Sequence, residues 1–382
     1  MNLYIKNGKV LINGRFQKTN ITIQKGKITS LSETSNLNRL PELDASCSQI
    51  VPGFIDIHTH GGNGVDVNNA TSQDLGKISS FFASQGTTSW LASIATDTEE
   101  KTLWCINQIS RAMDEPISSA QLLGIHLEGP FLSPAYKGAM AEHLLQKADI
   151  SLFNRYQQAA NDRVKYITVS PEVEGVPNLI KEICNSGVVI AIGHSGADYE
   201  LSMECINNGV KSSTHTFNGM KLMHQHFPAI TGAILESDIY CEAICDGRHL
   251  HPGIVRLLLK TKGFDRVIAV TDSMMAAGLN DGKYILGVNE VEVINGDAKL
   301  ISDGTRAGST LTTINSLKNL IQFTEKNLED LIPLLTRNPA ALLNIDGRKG
   351  TIAVDKDADL VLLDDDLNVE TTIVMGNIVY QR

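Results

Sequence analysis

The sequence predicts an α/β fold: a (β/α)8 barrel of the TIM type over residues 53–345, with a small β-sandwich domain built from residues 1–52 and 346–382. Three observations predict it. The middle of the chain holds eight short apolar runs separated by stretches with helical spacing. Both ends show period-2 alternation broken by turn pairs. Finally, the His, Glu and Asp residues of the middle gather at the C-terminal ends of the runs, where barrels build their sites.

The runs are GFIDIHTH (53–60), TSWLASIAT (88–96), LLGIHLEG (122–129), VKYITVSPE (164–172), VVIAIGHS (188–195), VKSSTHTFN (210–218), IYCEAICDG (239–247) and RVIAVTDS (266–273). They are rich in Val and Ile without strict alternation, as parallel strands covered on both faces should be. Between them, SQDLGKISSFFASQG and NLIKEICNSG have helical spacing and a late Gly. The glycines of GGNG (61–64) read as a flexible turn over the barrel mouth, because the rest of a dinucleotide fingerprint is missing. A hairpin-like insert, YILGVNEVEVINGDAKLIS (284–302), follows the eighth run. At the ends, LYIKNGKVLI, FQKTNITIQKGKITSL and GTIAVDKDADLVLLDDDLNVETTIVMGNIVY alternate as strands.

Composition narrows the function. A chain of 382 residues with 42% hydrophobic and 20% charged residues can bury a large core without staples. The net charge of -10 argues against a nucleic-acid partner, which needs basic surface. A phosphorylated small molecule is still compatible, since a few local Arg, His or backbone N–H groups can hold it. The six cysteines form no CxxC pair and read as buried free thiols in a reducing compartment. No window approaches 18 uncharged apolar residues, and MNLYIKNGKVLINGRF lacks a signal-peptide apolar core, so a cytoplasmic protein with no membrane partner is expected.

His58 and His60 end the first run, Glu128 the third and His194 the fifth, while His215 and Asp272 lie near the ends of the sixth and eighth. Singly, each is more simply a packed histidine or a helix cap. Together they converge on one barrel mouth, and so many buried polar groups are costly unless they bind something. Imidazoles and carboxylates without thiolates suit a reactive divalent ion, Zn²⁺, Fe²⁺, Mn²⁺ or Co²⁺, rather than a structural zinc. Such an ion acidifies water and polarises a carbonyl, and Asp272 can take that water's proton and pass it to a departing amine. No Walker loop and no GxSxG nucleophile elbow competes with this reading.

With these residues in place, the chain resembles the amidohydrolase superfamily and, within it, the N-acetylglucosamine-6-phosphate deacetylase family. The resemblance rests on VPGFIDIHTHGGNG (51–64), GIHLEGPFLSPAYKGA (124–139), IGHSGAD (193–198), STHTFNGM (213–220), CDGRH (245–249), VTDSMMAAG (270–278), AGSTL (307–311) and NPAALLNI…KGTIAVDKDADLVLLD (338–364). It implies that Glu128, His194 and His215 hold one metal, with Glu128 in place of a bridging carboxylated lysine, and that His58 and His60 permit a second. Asp272 would be the acid/base. Ala139, Asn218, Gly219, His249, Ala307 and Gly308 would line the pocket for an amino-sugar phosphate, and the chain would form a homodimer with the phosphate end near the subunit boundary.

The chain departs from that pattern twice. KGAM puts Met140 where the family carries a His that polarises the acetyl carbonyl, leaving His143 as a nearby stand-in. KLMHQHFPA puts His226, with His224 close by, where the family carries a phosphate-gripping Arg. Arg248 and Arg306 are extra cations near the same pocket. The expected activity is removal of acetyl from an N-acetylhexosamine 6-phosphate. N-acetylgalactosamine 6-phosphate or an unphosphorylated N-acyl sugar is an alternative substrate. A cyclic amide hydrolase, a deaminase and a non-catalytic scaffold are the competing classes.

Overall fold

In the computed structural model residues 2–33 and 40–382 are described, and counts and absences hold for those residues. All eight apolar runs carry parallel strands: β1 Phe54–Asp56, β2 Thr87–Ala95, β3 Gln121–Glu128, β4 Val164–Val169, β5 Val189–Ile192, β6 Ser212–Ser213, β7 Tyr240–Ile244 and β8 Val267–Val270. They pair in sequence order from β1 to β8. Each strand is followed by a helix. SQDLGKISSFFAS folds as Ser72–Ser84, opened by a reciprocal cap between Thr71 and Asp74, and VPNLIKEI folds as Val176–Ile183.

The ring closes just beyond β1 and β8. The His60 amide donates to the Ser273 carbonyl at 2.7 Å, the Asp272 amide to the His58 carbonyl at 2.8 Å, and Thr59 bridges Ser273 in parallel register. Closing the barrel and assembling the polar cluster are therefore one event, because the closing residues carry the clustered side chains. Alternation sorts the strand residues into layers. Leu91, Ile244, Ile268 and Val270 meet in an inner core, whereas Trp90, Ala92, Ala243, Val267 and Ala269 join the large core under the helices.

The chain ends do build a sheet together. Strands Leu3–Ile12, Arg15–Gln24, Lys27–Ser32, Glu42–Asp44 and Gln49–Pro52 combine with Leu360–Leu363, Val369–Val374 and Asn377–Gln381. Their hydrogen bonds join seven strands in one path, with Glu42–Asp44 branching off to pair with Leu3–Ile12, and the sheet folds over so that the turn at Gly26 abuts the turn at Gly376. Ile5, Ile21, Ile50, Leu360 and Ile373 pack between, and Val51, Val361 and Leu363 turn the other way into the barrel's own core.

Three sequence expectations are corrected. The insert after β8 is a three-stranded antiparallel sheet, Gly282–Leu286, Asn289–Ile294 and Asp297–Leu300, rather than one hairpin. Its second turn sets both Asn295 and Gly296 at positive φ, the pairing that an Asn-Gly hairpin turn demands. The GGNG segment is no free turn. Gly61–Gly62 pairs with Val65–Asp66, and the Asn63 and Gly64 amides donate to the Ala277 and Met275 carbonyls. The cysteines are free, and Cys105, Cys205, Cys241 and Cys245 are buried, but Cys47 is exposed and Cys184 half-buried. No helix among the described residues is long and apolar enough to cross a membrane.

Candidate active site

The six strand-end residues singled out above come together at the C-terminal mouth of the barrel. They form two groups able to hold a cation, His58–His60–Asp272 and Glu128–His194–His215, all buried. The Glu128 carboxylate stands between the groups. Its Oε1 lies 3.2 Å from both His194 Nε2 and His215 Nε2, and its Oε2 lies 3.1 Å from His60 Nε2. Asp272 Oδ1 is 3.3 Å from His60 Nε2 and 3.5 Å from His58 Nε2. His194, His215 and Asp272 all sit at positive φ, a strained setting of the sort that functional sites retain.

Hydrogen bonds on the far side of the rings set the chemistry of this cluster. His58 Nδ1 faces Glu242 Oε2 at 2.9 Å, His60 Nδ1 the Ser93 carbonyl at 3.1 Å, and His194 Nδ1 the Tyr136 carbonyl at 2.9 Å. Carboxylates and carbonyls only accept, so each of these Nδ1 atoms carries the proton. Each ring then turns its Nε2 inward, where it can offer a lone pair to a cation or hold a second proton. His58 and His60 Nε2 lie 3.3 Å apart, and His194 and His215 Nε2 only 3.0 Å apart. The inward nitrogens of His58, His60 and His194 thus crowd against carboxylates and one another, while His215 Nδ1 is buried without a partner, an arrangement that favours added positive charge. Proton affinities say the same. Burial lowers that of His60, yet its hydrogen bonds to the Asp272 and Glu128 carboxylates outweigh it and raise the pKa to about 9. A donor set of imidazoles and carboxylates with outer-sphere partners fits a divalent ion.

The cluster opens into a cleft of about 660 Å³, its open mouth included. Ala139, Met140, Asn218, Gly219, His249, Arg306 and Gly308 line it, together with His60, Glu128, His194, His215 and Asp272. Ala307 lies one layer back, buried against Met274 and Leu300. His226 is on an exposed loop away from the cleft wall, its amide bonded to the His224 ring, and His143 is exposed as well. Arg248 ties down the insert through the Asn295 carbonyl at 2.6 Å. Met140 packs on Ala95 and Leu132 and leaves the wall apolar where it stands.

Sequence reading missed Gly138, Leu286 and Thr305 in the cleft wall and Glu242 behind it. Leu286 and Thr305 reach the cleft from the insert, whose Asn289 side chain is anchored to the Ala139 carbonyl at 2.9 Å. Glu242, in the middle of β7, supports His58 from inside the barrel. A charged residue inside an otherwise apolar run (YCEAI) was the available signal. His126, by contrast, is a satisfied core histidine. Ser93 Oγ and Thr168 Oγ1 hold its two nitrogens at 2.8 and 2.9 Å, and burial keeps it neutral.

Gly219 has φ +59°, and a Cβ there would stand 3.1 Å from His194 Nδ1 and 3.3 Å from the Tyr136 carbonyl oxygen, wedged into the bond that orients the ring. Gly219→Ala should cost about 1–2 kcal/mol for the left-handed backbone alone. It should also weaken metal binding, which thermal unfolding and a metal titration on the same variant would reveal. Wild-type metal affinity in this variant would mean that the His194–Tyr136 bond is unimportant.

A barrel with two groups of His and carboxylate able to hold a cation at its mouth fits a metal-dependent hydrolase. Residues 49–379 match the model of the amidohydrolase family, and the chain belongs to that family. It is 36% identical to an N-acetylglucosamine-6-phosphate deacetylase of Bacillus subtilis over 99% of this chain and 94% of the relative. It is 30% identical to an N-acetylgalactosamine-6-phosphate deacetylase of Escherichia coli O157:H7, over 86% of this chain and 87% of that one. The crystal structure of N-acetylglucosamine-6-phosphate deacetylase from Pasteurella multocida superposes with a TM-score of 0.94 at 27% identity, covering 100% of both chains. The resemblance read from the motifs, and the barrel with its flanking sheet, are borne out.

Proposed function

We propose that this protein hydrolyses the acetamide of an N-acetylhexosamine 6-phosphate, N-acetylglucosamine 6-phosphate first, releasing acetate and the amino-sugar phosphate. One observation carries the reading: four imidazoles and two carboxylates converge in two candidate cation-binding groups at the floor of the cleft. The relatives' activities support the same choice.

Glu128, His194 and His215 would hold one ion, and His58, His60 and Asp272 could take part in holding a second. The metal is one of Zn²⁺, Fe²⁺, Mn²⁺ and Co²⁺. A bound divalent ion supplies an acidified water and polarises the acyl oxygen. Asp272 accepts the water's proton as the water adds to the acetyl carbon, then delivers it to the sugar nitrogen as the C–N bond breaks. Its carboxylate is placed for this by backbone bonds on both sides, from the Asp272 amide to the His58 carbonyl and from the Ser309 amide to the Asp272 carbonyl. Although burial raises its pKa, the His58 and His60 rings outweigh that and hold it below the usual carboxylate value, ready to accept. With Met140 in the wall, no side chain at that position donates to the acyl oxygen, so its polarisation falls to the metal.

Arg306 and His249 would receive the phosphate. Asp297 engages two of the five guanidinium donors of Arg306, at 2.8 and 3.1 Å, and Asp246 orients His249 at 2.7 Å. The reading includes a cytoplasmic homodimer, for which the exposed Leu222, Met223 and Phe227 beside His226 offer an apolar contact surface.

The test is acetate release from N-acetylglucosamine and N-acetylgalactosamine, each with and without the 6-phosphate. We expect kcat/KM to be highest for a phosphorylated sugar. Equal or better turnover of the unphosphorylated sugars would overturn the phosphate assignment, and a preference for the galacto epimer would move the substrate to the alternative.

A further inference from the structure

Glu242 is a carboxylate in the barrel interior with no measurable exposure and no Lys or Arg partner among the described residues. Alternation along β7 places it there. Ala243 and Cys241 face the outer core and Ile244 the inner one, so residue 242 points inward. Its polar contacts are three donors. Tyr166 Oη donates to Oε1 at 2.6 Å, while His58 Nδ1 and the His215 amide both donate to Oε2 at 2.9 Å. Burial and the Glu242 charge push the Tyr166 phenol well above its ordinary pKa, which keeps it a donor.

A buried charge of this kind is costly unless a positive charge answers it. A neutral glutamine of the same shape could accept from the same two N–H groups, so simple packing does not explain the charge. The positive charge it could answer lies across the His58 ring, at the Nε2 lone pair. Glu242 also touches both cation-binding groups, through the ring of His58 in one and the backbone of His215 in the other.

We infer that Glu242 is a positioning residue that fixes His58 as the Nδ1–H tautomer, holds the His215 backbone in its strained turn, and through His58 strengthens cation binding at the mouth. This inference rests on the metal-binding part of the proposed function and on nothing about the sugar. Outer-sphere carboxylates of this type are worth roughly 10- to 100-fold in metal affinity.

The experiment titrates metal-stripped full-length protein with Zn²⁺ against a competing chelator, for the wild type and for Glu242→Gln and Glu242→Asp. Melting of the metal-free forms shows that each variant is folded. Both variants should bind Zn²⁺ roughly 10- to 100-fold more weakly, and excess Zn²⁺ should restore occupancy. Proton NMR of the Zn²⁺-loaded wild type adds a measurement that needs no variant. Two ring N–H protons, that of His58 on Glu242 and that of His249 on Asp246, should resonate downfield of the others because they donate to carboxylates, and only the His58 signal should move upfield in Glu242→Gln. Wild-type affinity in a folded variant, or the absence of any downfield ring proton that shifts in Glu242→Gln, would overturn the inference. Failure of the wild type itself to bind Zn²⁺ would instead sink the metal reading beneath it.

Discussion

Asp272→Asn is expected to abolish turnover while leaving the fold intact. The amide matches the carboxylate in shape, so the backbone bonds to His58 and Ser309 persist. What disappears is the ability to accept a proton from water and return it to the leaving nitrogen. General acid–base assistance is worth roughly 100- to 10,000-fold. Here one group is asked to serve both steps, so kcat should fall towards the upper end of that range, with KM little changed. Asp272 also borders the second cation-binding group, so zinc content must be measured on the variant. A variant that keeps one ion and loses turnover supports the proton-transfer role. If it retains most of the turnover, Asp272 is not the acid/base.

Glu128→Gln should produce an effect of similar size by a different route. Glu128 is the carboxylate that faces both groups, with one oxygen toward His194 and His215 and the other toward His60. Replacing it leaves the imidazole nitrogens with one negative charge fewer to hold a cation. Affinity should drop by more than the roughly 100-fold ceiling for outer-sphere partners, because a direct ligand is lost. The readout is thermal unfolding with added Zn²⁺. A ligand at one hundred times its dissociation constant stabilises the folded state by about 2.7 kcal/mol, so the wild type should melt higher as Zn²⁺ is added. The variant should show no such response over the same range. An unchanged rise would show that the Glu128 carboxylate is not a ligand.

Much of this site was legible because barrels sort residues by position along a strand. His58, His60, Glu128, His194, His215 and Asp272 could be picked out because each interrupts the C-terminal end of an apolar run, and β/α topology brings those ends together. Glu242 was not picked out because it lies in the middle of its run. Only the closed barrel shows that this inward position meets the His58 ring. Leu286 and Thr305 escaped for another reason. They border the cleft beside an insert whose Asn289 is tied to Ala139, 150 residues away in sequence, and no local pattern encodes that contact. The GGNG turn was misjudged because its partners, Met275 and Ala277, follow the last strand and lie far away in sequence. His226 lies on an exposed loop outside this chain's own cleft, beside the apolar residues proposed for the contact between subunits.

The most direct test of the central claim is acetate release from N-acetylglucosamine 6-phosphate by one preparation in three states: as purified, stripped by a chelator, and resupplied with Zn²⁺, Fe²⁺, Mn²⁺ or Co²⁺. The account predicts that stripping removes activity and that at least one of these ions restores it. Undiminished acetate release by demonstrably metal-free protein would contradict it.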